Sequence, residues 1–141
     1  MRQVYVESGA MVALLRPGHR AHKRMLGHFE QLLDQRDLLV TTDIAVAEAA
    51  TALRRDPGLY RAVAFRDALA QSVRGGGIRI VDSDDQLRQR AFAVMAANPD
   101  VTLTYGDCVA AAMASSKRVA AIVGAGSALR GLGYPLEPDD T

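Results

Sequence analysis

Leu103-Thr104-Tyr105-Gly106-Asp107-Cys108-Val109-Ala110-Ala111-Ala112-Met113 is the stretch on which the fold turns. Thr104, followed three residues later by Asp107 just ahead of an apolar run, is a helix-start signature. The residues beyond are nearly all small and apolar, the pattern of a helix buried on most sides. The default role for Asp107 is to cap the first turn, where a negative charge suits the positive end of the helix dipole. Against that, the positions four residues either side are Leu103 and Ala111, so no base is spaced to pair with it. A buried charge without a partner is costly. A metal ion is one candidate partner, which directs attention to other carboxylates in similar settings.

Outward from this helix, strands and helices alternate. Val119-Ala120-Ala121-Ile122-Val123 reads as an apolar strand, and Val4-Tyr5-Val6 as a buried strand near the start. After Glu7-Ser8-Gly9 a short helix is expected through Ala10–Leu15, then a break at Pro17-Gly18. Ala21, Met25, Phe29, Leu32 and Leu33 recur at helical spacing and predict an amphipathic helix from Arg20 to Arg36. Its histidines, His19, His22 and His28, lack acidic or cysteine co-ligands nearby and read as surface groups. Leu38-Leu39-Val40-Thr41-Thr42 is the second strand, with Thr42 or Asp43 capping a helix that stops near Asp56-Pro57. A stripe of Ala62, Phe65, Leu69 and Val73 marks the next helix, ended by Gly75-Gly76-Gly77. Ile78-Arg79-Ile80-Val81 is a strand, and Ser83 with Gln86 predicts a capping box for a helix reaching about Ala97, where Asn98-Pro99 breaks it. Asp82, Asp84 and Asp85 crowd that helix start and are read as dipole complements. Gly124-Ala125-Gly126-Ser127 is expected to open a short helix, and Tyr134-Pro135-Leu136 a last edge strand, where proline is tolerated. Alternating elements imply parallel pairing through right-handed crossovers. Apolar strands without polar alternation fit a sheet covered on both faces. The expected fold is α/β, a three-layer α/β/α arrangement around a mostly parallel sheet.

The chain of 141 residues, 23% charged and 49% hydrophobic, has an ordinary globular balance, and one domain spanning 1–141 is expected. A net charge of +1 provides no basic field, so nucleic-acid contact would need a local patch. A single cysteine excludes a disulfide framework and fits a reducing cytoplasm; Cys108 reads as a core residue. No apolar run reaches membrane-spanning length and no signal peptide is visible, so no membrane role is expected.

Functional groups of open parallel sheets gather outside the carboxyl ends of the strands. Glu7 ends the first strand, Glu48 lies about two turns into the helix after the second, and Asp107 heads the helix before the fourth. Glu48 is flanked at helical spacing by Ile44, Thr51 and Ala52, so it too lacks a base. Three poorly paired carboxylates from separate elements suit a hard divalent cation, Mg²⁺ or Mn²⁺. Such an ion can activate water and neutralise charge on a phosphodiester under in-line attack.

Along its whole length the chain resembles a PIN domain, and its size and element order are similar to VapC-type ribonuclease toxins. Val4-Tyr5-Val6-Glu7-Ser8-Gly9-Ala10 stands where the family has its opening strand and first aspartate. Val40-Thr41-Thr42 through Glu48, with Leu53-Arg54-Arg55, matches the second acidic motif, and Thr104-Tyr105-Gly106-Asp107-Cys108 the third. The resemblance implies metal-dependent endonucleolytic cleavage of RNA, a neutralising antitoxin protein and a homodimer, with Glu7, Glu48 and Asp107 as metal-binding catalytic residues. Two departures stand out. Glu7 replaces an aspartate with a side chain one methylene longer, and Gly126 stands at the expected place of a fourth aspartate, with Ser127 as only a weak substitute ligand. A PIN-like protein acting by RNA or protein binding without catalysis is the alternative. Gly124-x-Gly126 between a strand and a helix start also suggests a phosphate-binding loop, though its spacing is incomplete and late in the chain. Arg16, Arg20, Lys23, Arg54 and Arg55 follow or flank the acidic ends and are the candidate RNA contacts.

Overall fold

Apolar strands lacking polar alternation pair in parallel throughout, as a sheet covered on both faces requires. The computed structural model describes residues 1–126 and 128–139. The elements are β1 (Gln3–Val6), α1 (Ser8–Leu15), α2 (His22–Asp34), β2 (Leu38–Thr42), α3 (Asp43–Arg55), α4 (Leu59–Arg74), β3 (Ile78–Val81), α5 (Asp85–Ala97), α6 (Tyr105–Ser115), β4 (Ala121–Val123) and β5 (Leu136–Glu137). The sheet runs β3-β2-β1-β4-β5. The chain builds outward from β1 to β3, then returns to place β4 on the other side of β1. That reversal is a topological switch point, the place outside the strands' carboxyl ends where open parallel sheets bind ligands. The register Val6↔Val123 sets Glu7 beside Gly124 at this edge.

Packing follows the connections. α1 packs on α2 and α3, α3 on α4, and α5 on α6. Right-handed crossovers put the helices of the outward and returning halves on opposite faces. α3 and α6 also touch, and Glu48 and Gly106 are among the residues in contact. Val4, Tyr5 and Val6 of β1 are completely buried, as are Cys108 through Met113 of α6. No helix among the described residues is long and apolar enough to cross a membrane.

Local chemistry explains where boundaries differ from the sequence reading. α5 is capped by Asp84, whose carboxylate accepts from Leu87 N–H at 2.8 Å, and not by Ser83. Asp84 combines capping geometry with a favourable charge at the dipole's positive end, and it leaves Leu87, not Gln86, at the third helical position, so no box forms. The expected helix after Gly126 is only a 3-10 turn, Arg130–Leu132, and Ser127 lies outside the described residues. The histidines are not merely surface groups. His22 Nδ1 bonds the Ala13 carbonyl at 2.7 Å, His19 Nδ1 accepts from Ala21 N–H at 3.0 Å, and His28 is 10% exposed with Nε2 3.4 Å from Glu137.

Buried hydroxyls tie β1 to the start of α3. Thr41 Oγ1 donates to the Val6 carbonyl at 2.8 Å, and Tyr5 Oη lies 2.9 Å from Thr42 Oγ1. Thr42 is the N-cap of α3 and accepts from Ala45 N–H. Burial, followed by the charges of Glu7, Glu48 and Asp43, pushes the Tyr5 hydroxyl well above its ordinary pKa, while its bond to Thr42 acts the other way. Tyr5→Phe is expected to destabilise the protein by about 1–2 kcal/mol, the scale of a lost buried hydrogen bond. Urea unfolding measures this, and an unchanged midpoint would remove the bond from the account of α3 placement.

Candidate active site

Glu7 caps α1 with an extended backbone, φ −84° and ψ 167°, yet its side chain makes no capping bond. The carboxylate instead reaches the loop after β4, where hydrogen bonds from the backbone N–H groups of Gly126 and Ala125 hold its pKa down. Burial outweighs them. Together with repulsion first from Asp107 and then from Glu48, it raises the Glu7 pKa to about 7.

The carboxylate of Glu48 lies against the first turn of α6. An ideal Cβ built on Gly106 would stand 2.8 Å from Glu48 Cδ, so only glycine leaves the room it occupies. Glu48 keeps solvent access, and partial burial followed by the charge of Asp107 raises its pKa.

Asp107 completes a full capping box. Its Oδ2 accepts from Thr104 N–H at 3.0 Å, and its own N–H donates to Thr104 Oγ1 at 3.0 Å. The capping role read for Asp107 by default is therefore the one observed, and the partner of its carboxylate is backbone. The same charge also reaches Glu7, Glu48 and the thiol of Cys108, which burial chiefly pushes up. That thiol, fully buried in α6, is a core group.

The three predicted acids thus act on one another electrostatically, and the groups that shift Glu7 and Glu48 include no basic side chain. An all-oxygen, triply acidic donor set suits Mg²⁺ or Mn²⁺. Among the described residues, however, no three His, Cys, Asp or Glu side chains are grouped closely enough to hold an ion as they stand. Cation binding here requires the carboxylates to draw together.

Two other expectations change. Gly124-x-Gly126 is not a phosphate loop opening an α-helix: a 3-10 turn follows among the described residues, and the N–H groups of Ala125 and Gly126 already serve the Glu7 carboxylate. Arg16, one of the candidate RNA contacts, has its guanidinium bonded to the carbonyls of Asp56 and Ala52 at the C-terminus of α3. Both α1 and α3 start at the acidic edge, so Arg16, Arg54 and Arg55 sit at their far ends, roughly 12–20 Å along at 1.5 Å per residue. The glycines packed against the acids, Gly9, Gly106 and Gly124, went unremarked in the sequence. Their one signal was adjacency, with Gly9 two residues after Glu7 and Gly106 just before Asp107.

The chain matches the family model described as PIN domain over residues 4–130. No curated protein matches it in sequence. Similar solved structures include Mycobacterium tuberculosis VapC20, described as a sarcin–ricin-loop-cleaving toxin, at 17% identity and TM-score 0.76, covering 93% of this chain and 95% of that one. VapBC2 from Rickettsia felis, bound to a DNA fragment from their promoter, gives 11% identity and TM-score 0.70 over 96% of this chain and 97% of that one. FitAcB from Neisseria gonorrhoeae gives 14% and 0.66 over 94% and 95%. At these identities the structural likeness carries the fold alone.

A Glu7 pKa raised from 4.5 to about 7 makes stability fall as pH rises through that window, because the folded chain holds a proton that the unfolded chain releases. The loss is on the order of 3 kcal/mol at 1.36 kcal/mol per unit, complete above the folded pKa. Glu7→Gln, which cannot ionise, is expected to be more stable than the wild type at pH 8 in EDTA and nearly equal to it at pH 4.5. Thermal unfolding across pH decides this. Parallel curves for the two chains would mean that the Glu7 charge is not the source of the slope.

Proposed function

Because this chain belongs to the PIN-domain family, we propose that it is a divalent-cation-dependent endoribonuclease of the VapC toxin type, with Glu7, Glu48 and Asp107 as its catalytic and metal-binding residues. PIN domains are typically nucleases. The observation that carries the reading is the mutual electrostatic pressure among three carboxylates at the switch point, with no basic side chain among the groups shifting Glu7 and Glu48. A bound Mg²⁺ or Mn²⁺ would relieve that pressure and supply charge neutralisation and an activated water for phosphodiester hydrolysis.

The chain's own residues divide the work. Glu7, half-buried and anchored on backbone N–H groups, provides the deep carboxylate. Asp107 is oriented by its capping bond and stands at the positive end of α6. Glu48 provides the accessible carboxylate at the rim. RNA is the substrate in this reading, the whole chain acts as one domain, and the setting is the cytoplasm.

Two of the structures similar in fold are VapBC2, bound to promoter DNA, and FitAcB. A neutralising antitoxin and a homodimer belong to the same proposal. Supporting a protein partner, Phe65 and Leu69 of α4 line two adjoining apolar hollows of about 190 and 570 Å³. The first also meets Met11, Leu15, Phe29 and Leu33.

A second reading, a PIN-like chain that binds RNA or protein without cleaving, draws support from the lack of a closed three-ligand cluster among the described residues. Mn²⁺-dependent cleavage of a mixed RNA pool separates the two. Asp107→Asn retains a capping oxygen but loses the charge that a cation requires. Cleavage by this variant is expected to fall roughly a hundredfold or more, the scale that an ångström's misplacement already reaches, with its circular dichroism unchanged. Undiminished cleavage by Asp107→Asn would take this residue out of the mechanism.

Gly126 tests the site from the other side. A Cβ there would lie 3.8 Å from Glu7 Oε1, ordinary contact distance, and its φ is outside the left-handed region. Gly126→Asp therefore fits without strain and adds a fourth negative ligand, so Mn²⁺ binding should tighten relative to the shape-matched Gly126→Asn. Calorimetric titration compares the two, and equal affinities would show that position 126 does not serve the cation.

A further inference from the structure

Resting on the proposed metal site, we propose that Gly124 is a positioning residue: its missing side chain opens the slot in which the Glu7 carboxylate docks. The slot thereby sets where that carboxylate stands relative to Glu48 and Asp107.

The contact is close and has little room to relax. An ideal Cβ on Gly124 would stand 2.6 Å from Glu7 Cδ and 2.9 Å from Cγ, distances that real Cβ contacts essentially never show. On another side of the same oxygen, a Cβ on Gly9 would lie 3.1 Å from Glu7 Oε1. Neither backbone is free to retreat. Glu7 N–H donates to the Val123 carbonyl at 3.0 Å, and Gly124 N–H donates to the Glu137 carbonyl of β5 at 3.0 Å. A side chain at 124 must therefore push the Glu7 carboxylate out of its slot and off the N–H groups of Ala125 and Gly126. Gly124 does not occupy the left-handed region, so alanine there is conformationally acceptable and reports on the contact alone.

Removing the side chain at position 7 supplies the matching change. Alanine there has neither the Cγ nor the Cδ that a methyl group at 124 would meet, so it leaves space for that methyl. Glutamate at 7 and glycine at 124 thus form a size-matched pair. Removing the acid's side chain should restore tolerance of the larger neighbour.

A double-mutant cycle of wild type, Gly124→Ala, Glu7→Ala and the combination tests this. Thermal unfolding in EDTA and calorimetric Mn²⁺ titration are the two readouts. Gly124→Ala alone is expected to lower the melting temperature and to weaken Mn²⁺ binding roughly tenfold or more, as loss of a ligand's supporting contacts does. In the Glu7→Ala background, Gly124→Ala is expected to leave the melting temperature nearly unchanged, so that the two changes are strongly non-additive. Should Gly124→Ala fail to fold, a folded double variant still supports the pairing, and an unfolded one overturns it. Additive effects, or wild-type Mn²⁺ affinity in Gly124→Ala, also overturn it. A wild-type chain that takes up no Mn²⁺ overturns the metal-site reading and the positioning role with it. Because it needs no metal, the EDTA cycle still decides the steric pairing, which keeps the two failures distinguishable.

Discussion

Like charge converging on a half-buried carboxylate at the end of β1 is the condition around which this edge of the molecule is arranged. The backbone cannot relieve it by moving. β1 lies between β2 and β4, its side chains Val4, Tyr5 and Val6 are fully buried, and the Val6 carbonyl is held by Thr41. Glu7 follows directly, with its N–H tied to Val123. Asp107 is set by a capping box, and α3, which carries Glu48, is joined to β1 through Thr42 and Tyr5. With each element pinned, the repulsion is relieved by a proton, which the raised Glu7 pKa expresses; in the proposed function a cation would take its place.

The remaining charge supports this asymmetry. Arg2 pairs with Asp37 and Glu137 and so links segments around β1, β2 and β5. Arg16 closes the C-terminus of α3, and His19 beside it is held below its ordinary pKa by burial, then by Arg16, Arg20 and His22. Arg16, Arg54 and Arg55 therefore stand at the far ends of α1 and α3, whose N-terminal halves meet the acids. For a nucleic-acid substrate this leaves little basic surface from α1 and α3 at the acidic edge. In the proposed nuclease reading, a bound cation would supply the bridge to a phosphate.

The fold was legible because it rests on periodicity, which is local. Strand runs such as Leu38–Thr42 and the small-residue run of α6 announce their burial whatever surrounds them. The acids were legible because each lacked a base at helical spacing. Their surroundings were not. Nothing local says that the Glu7 side chain declines to cap α1 and crosses to the loop after β4, since its N–H partners lie far along the chain at Ala125 and Gly126. The same holds for Arg16, whose partners on α3 are set by packing of α1 on α3. Gly124-x-Gly126 misled for a related reason: a glycine that admits a neighbouring side chain and a glycine that admits a phosphate look alike in sequence.

Glycine placement also separates the roles of the two glutamates. Gly124 and Gly106 each leave room for a carboxylate, yet the consequences differ with exposure. Glu7 is half-buried in a slot with backbone donors, so its side-chain rotamer is already selected and little entropy is lost if it ligates an ion. Glu48 rests on Gly106 with solvent still on its carboxylate, and its flexible arm can reorient at little cost. Asp107 has one oxygen committed to Thr104. Of the three, only Glu48 can move far without breaking a hydrogen bond that positions it. In the proposed metal-dependent reading, Glu48 is therefore the residue best placed to swing inward from the rim and close a coordination shell.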